Sequence, residues 1–126
     1  MGRNMMMIYV IDDDESVRKA AVRLLTAIGL PVLTFASGLE FLASIHPADD
    51  DCLVIDIHMP GMGGLELQQR LLQTGVRPVV IFTSAVDDER ARWQARQAGA
   101  FGFFLKPFDG QALLDTISFA ISGSRA

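Results

Sequence analysis

Five times along this chain a short apolar run gives way to turn residues and then to apolar positions at helical spacing. The runs are 6–11, 32–35, 52–55, 78–82 and 101–105. Runs this short, bounded by turn residues, read as strands of a parallel sheet, because helices covering both faces leave no side of the strand for water. Parallel neighbours need a crossover between them, and the helical stretches supply one each time, with the right-handed sense that strand twist imposes. The expectation is an α/β chain: a single doubly wound five-stranded parallel sheet with five flanking helices. At 126 residues, half of them hydrophobic, it is long enough to bury a core and short enough for one domain. That domain is expected over 6–122, with a tail at 1–5 and a second tail, or the start of a linker, at 123–126.

The helices carry their own punctuation. Val17, Ala21, Leu24 and Ile28 recur at helical spacing between a run of acids and Gly29, which predicts a helix over 16–28. Ser37-Gly-Leu-Glu40 is a capping box, in which the Ser oxygen and the Glu side chain can each satisfy an orphan backbone donor; the helix it opens runs to about 45. A third helix is expected over 65–74, closed by Gly75. Asp87 is the expected cap of a fourth, with a small-residue seam of Ala91, Ala95 and Ala98 leading to Gly99. Asp109 caps the fifth, whose buried stripe is Leu113, Leu114, Ile117, Ala120 and Ile121, with Gly123 beyond it. Asp49-Asp50-Asp51 precedes a strand and reads as a solvated loop.

Composition excludes several classes of function. A net charge of −4 gives no basic surface for nucleic acid, whose binding depends on Lys and Arg neutralising phosphates. The lone Cys52 rules out an internal disulfide and lies inside a predicted buried strand, so it reads as a small core residue. No apolar run approaches the roughly twenty residues of a membrane span, and 5–11 is too short and wrongly flanked for a signal peptide. A soluble, cytoplasmic protein without membrane contact is expected.

Chemistry gathers where the strands end. The first run ends on Asp12, Asp13 and Asp14, the third on Asp56, the fourth on Thr83 and the fifth on Lys106, whereas the second has nothing comparable. In open α/β sheets the crevice at the carboxyl ends of the strands is where ligands bind. If the first and third strands are neighbours, their acids face each other, and carboxylates that share a crevice stay charged only with positive charge among them. A hard divalent cation with oxygen ligands, Mg²⁺ or else Mn²⁺, meets that need. The formal charges of Asp12, Asp13 and Asp56 balance to zero against one such ion and Lys106. Held in this way, Asp56 is a nucleophile for a phosphoryl group, with Thr83 and Lys106 at the phosphoryl oxygens. His58 has no His or Cys partner at ligand spacing, and its side chain reads as a plain loop residue.

Taken together, Ile11-Asp-Asp-Asp-Glu15, Val54-Ile-Asp56-Ile-His-Met-Pro60-Gly-Met-Gly-Gly64, Ile81-Phe-Thr83-Ser84 and Ala98-Gly-Ala-Phe-Gly-Phe-Phe-Leu-Lys106-Pro107-Phe108 resemble the receiver domain of bacterial two-component response regulators. The likeness runs from about Met7 to Ile121, and the Asp-Glu-Ser-Val and Lys-Pro-Phe details are most similar to the FixJ-type subfamily. The resemblance implies a flavodoxin-like sheet in the order 2-1-3-4-5. It implies Asp12 and Asp13 as metal-site acids, Asp56 as phosphoacceptor, Thr83 as the hydroxyl that senses the phosphoryl group, Lys106 as its charge partner and Phe103 as the switch aromatic. His58 would add a backbone carbonyl to the metal.

The implied function is a phosphorylation-dependent switch that takes a phosphoryl group from a sensor histidine kinase and regulates an output, transcription through a DNA-binding domain in this subfamily. Such a protein modifies only itself and is not a turnover enzyme. No output domain follows Ala126, which is compatible with a stand-alone regulator or with the receiver part of a longer chain. The enzyme rival, a haloacid-dehalogenase-type phosphatase, needs a second Asp where this chain has His58. The other rival is an unphosphorylated receiver-like module kept for docking or dimerisation. The resemblance and the low cost of a cis X-Pro bond predict cis at Lys106-Pro107. Arg96 stands where an apolar residue is expected, on the inner side of the fourth helix. Trp93 on the fourth helix and Phe119 on the fifth lie off the buried stripes, so a homodimer through the fourth helix, fifth strand and fifth helix is a further expectation.

Overall fold

The computed structural model describes residues 6–124, with side chains to 122; the tail expected at 1–5 lies outside them. The elements alternate throughout: β1 (Ile8–Ile11), α1 (Glu15–Ala27), β2 (Val32–Phe35), α2 (Gly38–Ser44), β3 (Cys52–Asp56), α3 (Gly64–Gln73), β4 (Val79–Ser84), α4 (Glu89–Gln97), β5 (Gly102–Leu105) and α5 (Gly110–Ser124). All strand pairs are parallel and the sheet order is β2-β1-β3-β4-β5. The doubly wound sheet is as expected. Its order puts the ends of β1 and β3 side by side, with β4 next to β3.

Period-two alternation within each strand sorts the core into two layers. Tyr9, Ile11, Leu53, Ile55 and Phe82 face one side, where Phe41 of α2, Leu67 and Leu71 of α3 and Ala91 and Ala95 of α4 cover them. Ile8, Val10, Cys52, Val54 and Ile81 face the other, under Leu25 of α1 and Leu113 and Ile117 of α5. Each fully buried Leu, Ile or Phe stabilises the fold by about 1.5–3 kcal/mol. Leu25 is the buried residue of α1, so Leu25→Ala would loosen the whole helix. Cys52 is fully buried, and burial pushes its thiol up to about 12, which keeps it protonated as a core residue should be.

Local signals explain most helix ends. Asp14 caps α1, accepting from the Ser16 amide at 2.9 Å, and Ser37 caps α2, accepting from Glu40 at 3.1 Å. The glycine stop after α1 is in the left-handed region, with Gly29 at φ 81°.

Four expectations need correction. Asp88, not Asp87, caps α4, while Asp87 pairs with Arg92 at 3.2 Å. The fifth helix runs through Gly123 to Ser124 without stopping at the glycine. Arg96 is exposed, because Ala91 and Ala95 set the inner face and the next residue is turned about 100° away from it. Asp51 is not a solvated loop residue: it is 1% exposed and accepts from the Met7 amide at 3.0 Å and the Ala48 amide at 2.8 Å, tying the start of β3 to the chain entering β1.

Candidate functional site

The strand ends converge on one crevice. Asp12 follows β1 and is held by its own backbone, with its amide donating to Phe35 at 3.0 Å. Its carbonyl accepts from Arg18 Nη1 at 2.8 Å, and its Oδ1 accepts from the Asp14 amide at 2.9 Å. Asp56 is the last residue of β3, in register with Thr83 of β4, and both are buried. The His58 amide donates to Asp56 Oδ1 at 3.1 Å, while the His58 side chain points to the exposed side of the loop.

Lys106 leaves the end of β5, its amide donating to Ser84 at 2.7 Å, and the Lys106-Pro107 bond is cis, as expected. Its Nζ lies 2.7 Å from Asp12 Oδ2 and 3.4 Å from Asp56 Oδ2, with both acids nearly closed off from solvent. One ammonium therefore bridges two carboxylates from neighbouring strands. Asp12 has the shorter contact, so Asp56 is the less compensated of the two.

The electrostatics follow from that geometry. Burial raises the Asp56 carboxyl above its ordinary range, and the charge of Asp12 adds to the rise against the pull of Lys106 and the His58 amide. For Lys106, burial acts to lower its value, but the Asp12 hydrogen bond and the charges of Asp56 and Asp12 outweigh it, and the ammonium is held more firmly than usual. The Ser16 hydrogen bonds lower the Asp14 carboxyl, in keeping with its place as a helix cap.

Among the described residues, Asp12, Asp13 and Asp56 form a group able to hold a metal ion, with one oxygen from each lying within 4.8 Å of the others. The donors are hard carboxylate oxygens, a set suited to Mg²⁺ or Mn²⁺ and not to a thiolate-seeking metal. Asp14, the third acid after β1, is the cap of α1.

Phe103 of β5 is half-buried, and the Arg92 guanidinium of α4 sits 4.9 Å over its ring. Trp93 and Phe119 are both exposed, at 59% and 72%. Arg18 and Gln68, which the sequence reading did not single out, and Gly64, which entered it only as the end of a motif, support the site. Arg18 braces the Asp12 carbonyl from the first turns of α1. Gln68 of α3 donates to the carbonyl of Ala98 at 3.0 Å, tying α3 to the end of α4. A Cβ on Gly64 would come within 2.6 Å of the Asp56 carbonyl and 3.0 Å of Ile57 Cα, so only glycine lets α3 start directly against the end of β3. The Gly63-Gly64 doublet was the available signal for that close approach.

The response regulator receiver domain model matches residues 8–118. The transcriptional regulatory protein TdiR of Thauera aromatica is 39% identical over 118 residues, which is 94% of this chain and 52% of the relative. FixJ of Azorhizobium caulinodans is 36% identical over 117 residues, 93% of this chain and 56% of its own length. This chain thus spans about half the length of the curated relatives it matches. Among solved structures, FixJ-N superposes with a TM-score of 0.85 at 30% identity, covering 95% of this chain and 96% of that one. Chemotaxis protein CheY4 of Vibrio cholerae gives 0.83 at 26% identity, covering 93% and 99%.

Proposed function

The chain belongs to the response regulator receiver domain family, and on that premise we propose that it is a phosphoacceptor switch in which Asp56 takes a phosphoryl group from the phosphohistidine of a sensor kinase. What supports this reading most is the Lys106 ammonium between Asp12 and Asp56, with Asp13 close by. An Asp56 oxygen attacks phosphorus, and the bond from phosphorus to the donor breaks as the new one forms. Lys106 meets the charge on the phosphoryl oxygens and Thr83 donates its hydroxyl to one of them. Asp12, Asp13, Asp56 and the His58 carbonyl would hold Mg²⁺, which when bound neutralises charge as the phosphoryl group arrives. Hydrolysis of the acyl phosphate returns the switch to its starting state, so the protein modifies only itself.

Downstream of the chemistry, Thr83 moving toward the phosphoryl group leaves room for Phe103 to turn inward. That change biases the surface of α4, β5 and α5 between pre-existing states. Trp93 and Phe119 on that surface suit a homodimer formed on phosphorylation, and the output is transcription through a domain outside residues 6–122. Such a switch works in the cytoplasm, and this domain itself makes no nucleic-acid contact. The described helices include none long and apolar enough to cross a membrane.

The test is direct. Incubation with Mg²⁺ and acetyl phosphate adds one phosphoryl group by mass spectrometry, and Asp56→Asn or chelation abolishes the addition. Unchanged labelling of Asp56→Asn removes the acceptor. No labelling of the intact protein favours the docking module.

A further inference from the structure

The Phe103 ring is covered by a charge. The Arg92 guanidinium of α4 sits 4.9 Å over it, and the same guanidinium reaches the Asp87 carboxylate at 3.2 Å in the loop between β4 and α4. That loop is braced from within: the Ser84 hydroxyl, fully buried, donates to the Val86 carbonyl at 2.9 Å and accepts from the Val86 amide at 3.1 Å. The chain from Thr83 to Asp87 is therefore a short, stiff path that passes on a displacement of the end of β4. Arg92 touches both ends of the coupling, the ring on β5 and the loop that follows Thr83. With side chains 39% and 73% exposed, the Arg92–Asp87 pair stabilises little by itself. Its consequence is placement, since it holds the planar guanidinium where the ring can meet it.

We propose that Arg92 is a clasp on the switch, a positioning residue that holds Phe103 in its present orientation and so raises the threshold for phosphorylation of Asp56. The inference rests on Asp56 being the phosphoacceptor and Phe103 the ring that turns. A cation–π contact needs the face of the ring, and turning the ring inward withdraws that face from the guanidinium. The contact thus stabilises the resting state and contributes nothing to the turned one. A phosphoryl group at Asp56 has to outweigh it, because a bound group shifts two states only by the difference in its interactions with them. Movement of Thr83 toward Asp56 acts on the clasp from its other side, by carrying the loop and Asp87 away from Arg92.

The experiment titrates the whole chain with beryllofluoride in the presence of Mg²⁺, as an equilibrium mimic of the phosphoryl group on Asp56, with occupancy read by fluorine NMR. Arg92→Ala should bind it about two- to fivefold more tightly than wild type, because the competent state is no longer held back. Arg92→Lys keeps a cation over the ring and should stay near wild type. Asp87→Asn, on an exposed side chain that does not cap α4, should tighten binding part of the way and keeps the measurement available if Arg92→Ala fails to fold. In a Phe103→Leu background Arg92→Ala should add nothing, since the clasp has lost its ring. A variant that merely loosened the fold would bind less tightly, so tighter binding is not a by-product of damage. Unchanged or weaker binding by Arg92→Ala and Asp87→Asn, or the same gain without the Phe103 ring, overturns the clasp while leaving Asp56 as acceptor. Failure of the intact protein to bind beryllofluoride overturns the acceptor and this inference together.

Discussion

Neutralising Asp56 should make the metal-free protein more stable. At an effective dielectric near 20, the repulsion between Asp12 and Asp56, whose oxygens lie within 4.8 Å, is about 3.5 kcal/mol. The attraction of Asp56 to Lys106 at 3.4 Å is about 5 kcal/mol on the same footing. Burial of the carboxylate opposes ionisation by several kcal/mol, here about 3, so the charged form costs the fold about 1–2 kcal/mol net. The raised Asp56 carboxyl agrees in sign. Asp56→Asn removes that cost and keeps the acceptor for the His58 amide. We expect a gain of about 1–2 kcal/mol in unfolding free energy at pH 7 without divalent ions, read by urea denaturation and circular dichroism. Because the folded carboxyl is raised, the cost is absent at low pH, where folded and unfolded chains are both protonated. It grows as the pH rises through the folded value, so the advantage of the variant should shrink as the pH falls toward 4. Mg²⁺ should close the gap by stabilising the wild type more. A variant equal to or weaker than wild type at pH 7, or an advantage independent of pH, would refute the reasoning.

Gly64→Ala should destabilise by about 2–3 kcal/mol in urea, since the new methyl meets the backbone of Asp56 and Ile57, which cannot give way as a flexible side chain would. Gly61→Ala, at φ 78° but in open space, should cost only about 1 kcal/mol. Asp51→Ala leaves the part-buried amides of Met7 and Ala48 without this acceptor and should cost about 1–3 kcal/mol, a loss visible in the same titration. Cys52 should resist a thiol reagent at pH 8 in the native protein and react at once in denaturant, because the thiol is both buried and protonated.

Strands and their chemical ends were legible because each strand is an apolar run cut off by a different polar residue, and such runs depend little on the rest of the chain. What escaped depends on distant partners. Nothing local separates Asp51 from Asp49 and Asp50; it is the Met7 amide, 44 residues away, that makes Asp51 a buried acceptor. Asp87 and Asp88 have the same capping propensity, and the choice follows from where β4 delivers the chain and from the pairing of Asp87 with Arg92. Asp14 looked like one more acid at a strand end until α1 began one residue earlier than its apolar spacing suggested.

Of the nine residues of α4, Ala91 and Ala95 are the buried ones, and the Arg92 stack on Phe103 and the Gln68 bond to Ala98 add side-chain ties. Two methyl groups anchor little, so most of this helix can change its lettering without touching the core. Lineages that duplicate such a gene can therefore rewrite the outward face of α4 substitution by substitution, each nearly neutral for folding, until two copies no longer answer to the same neighbours. Light anchoring makes this helix the part of the molecule where divergence is least constrained by stability.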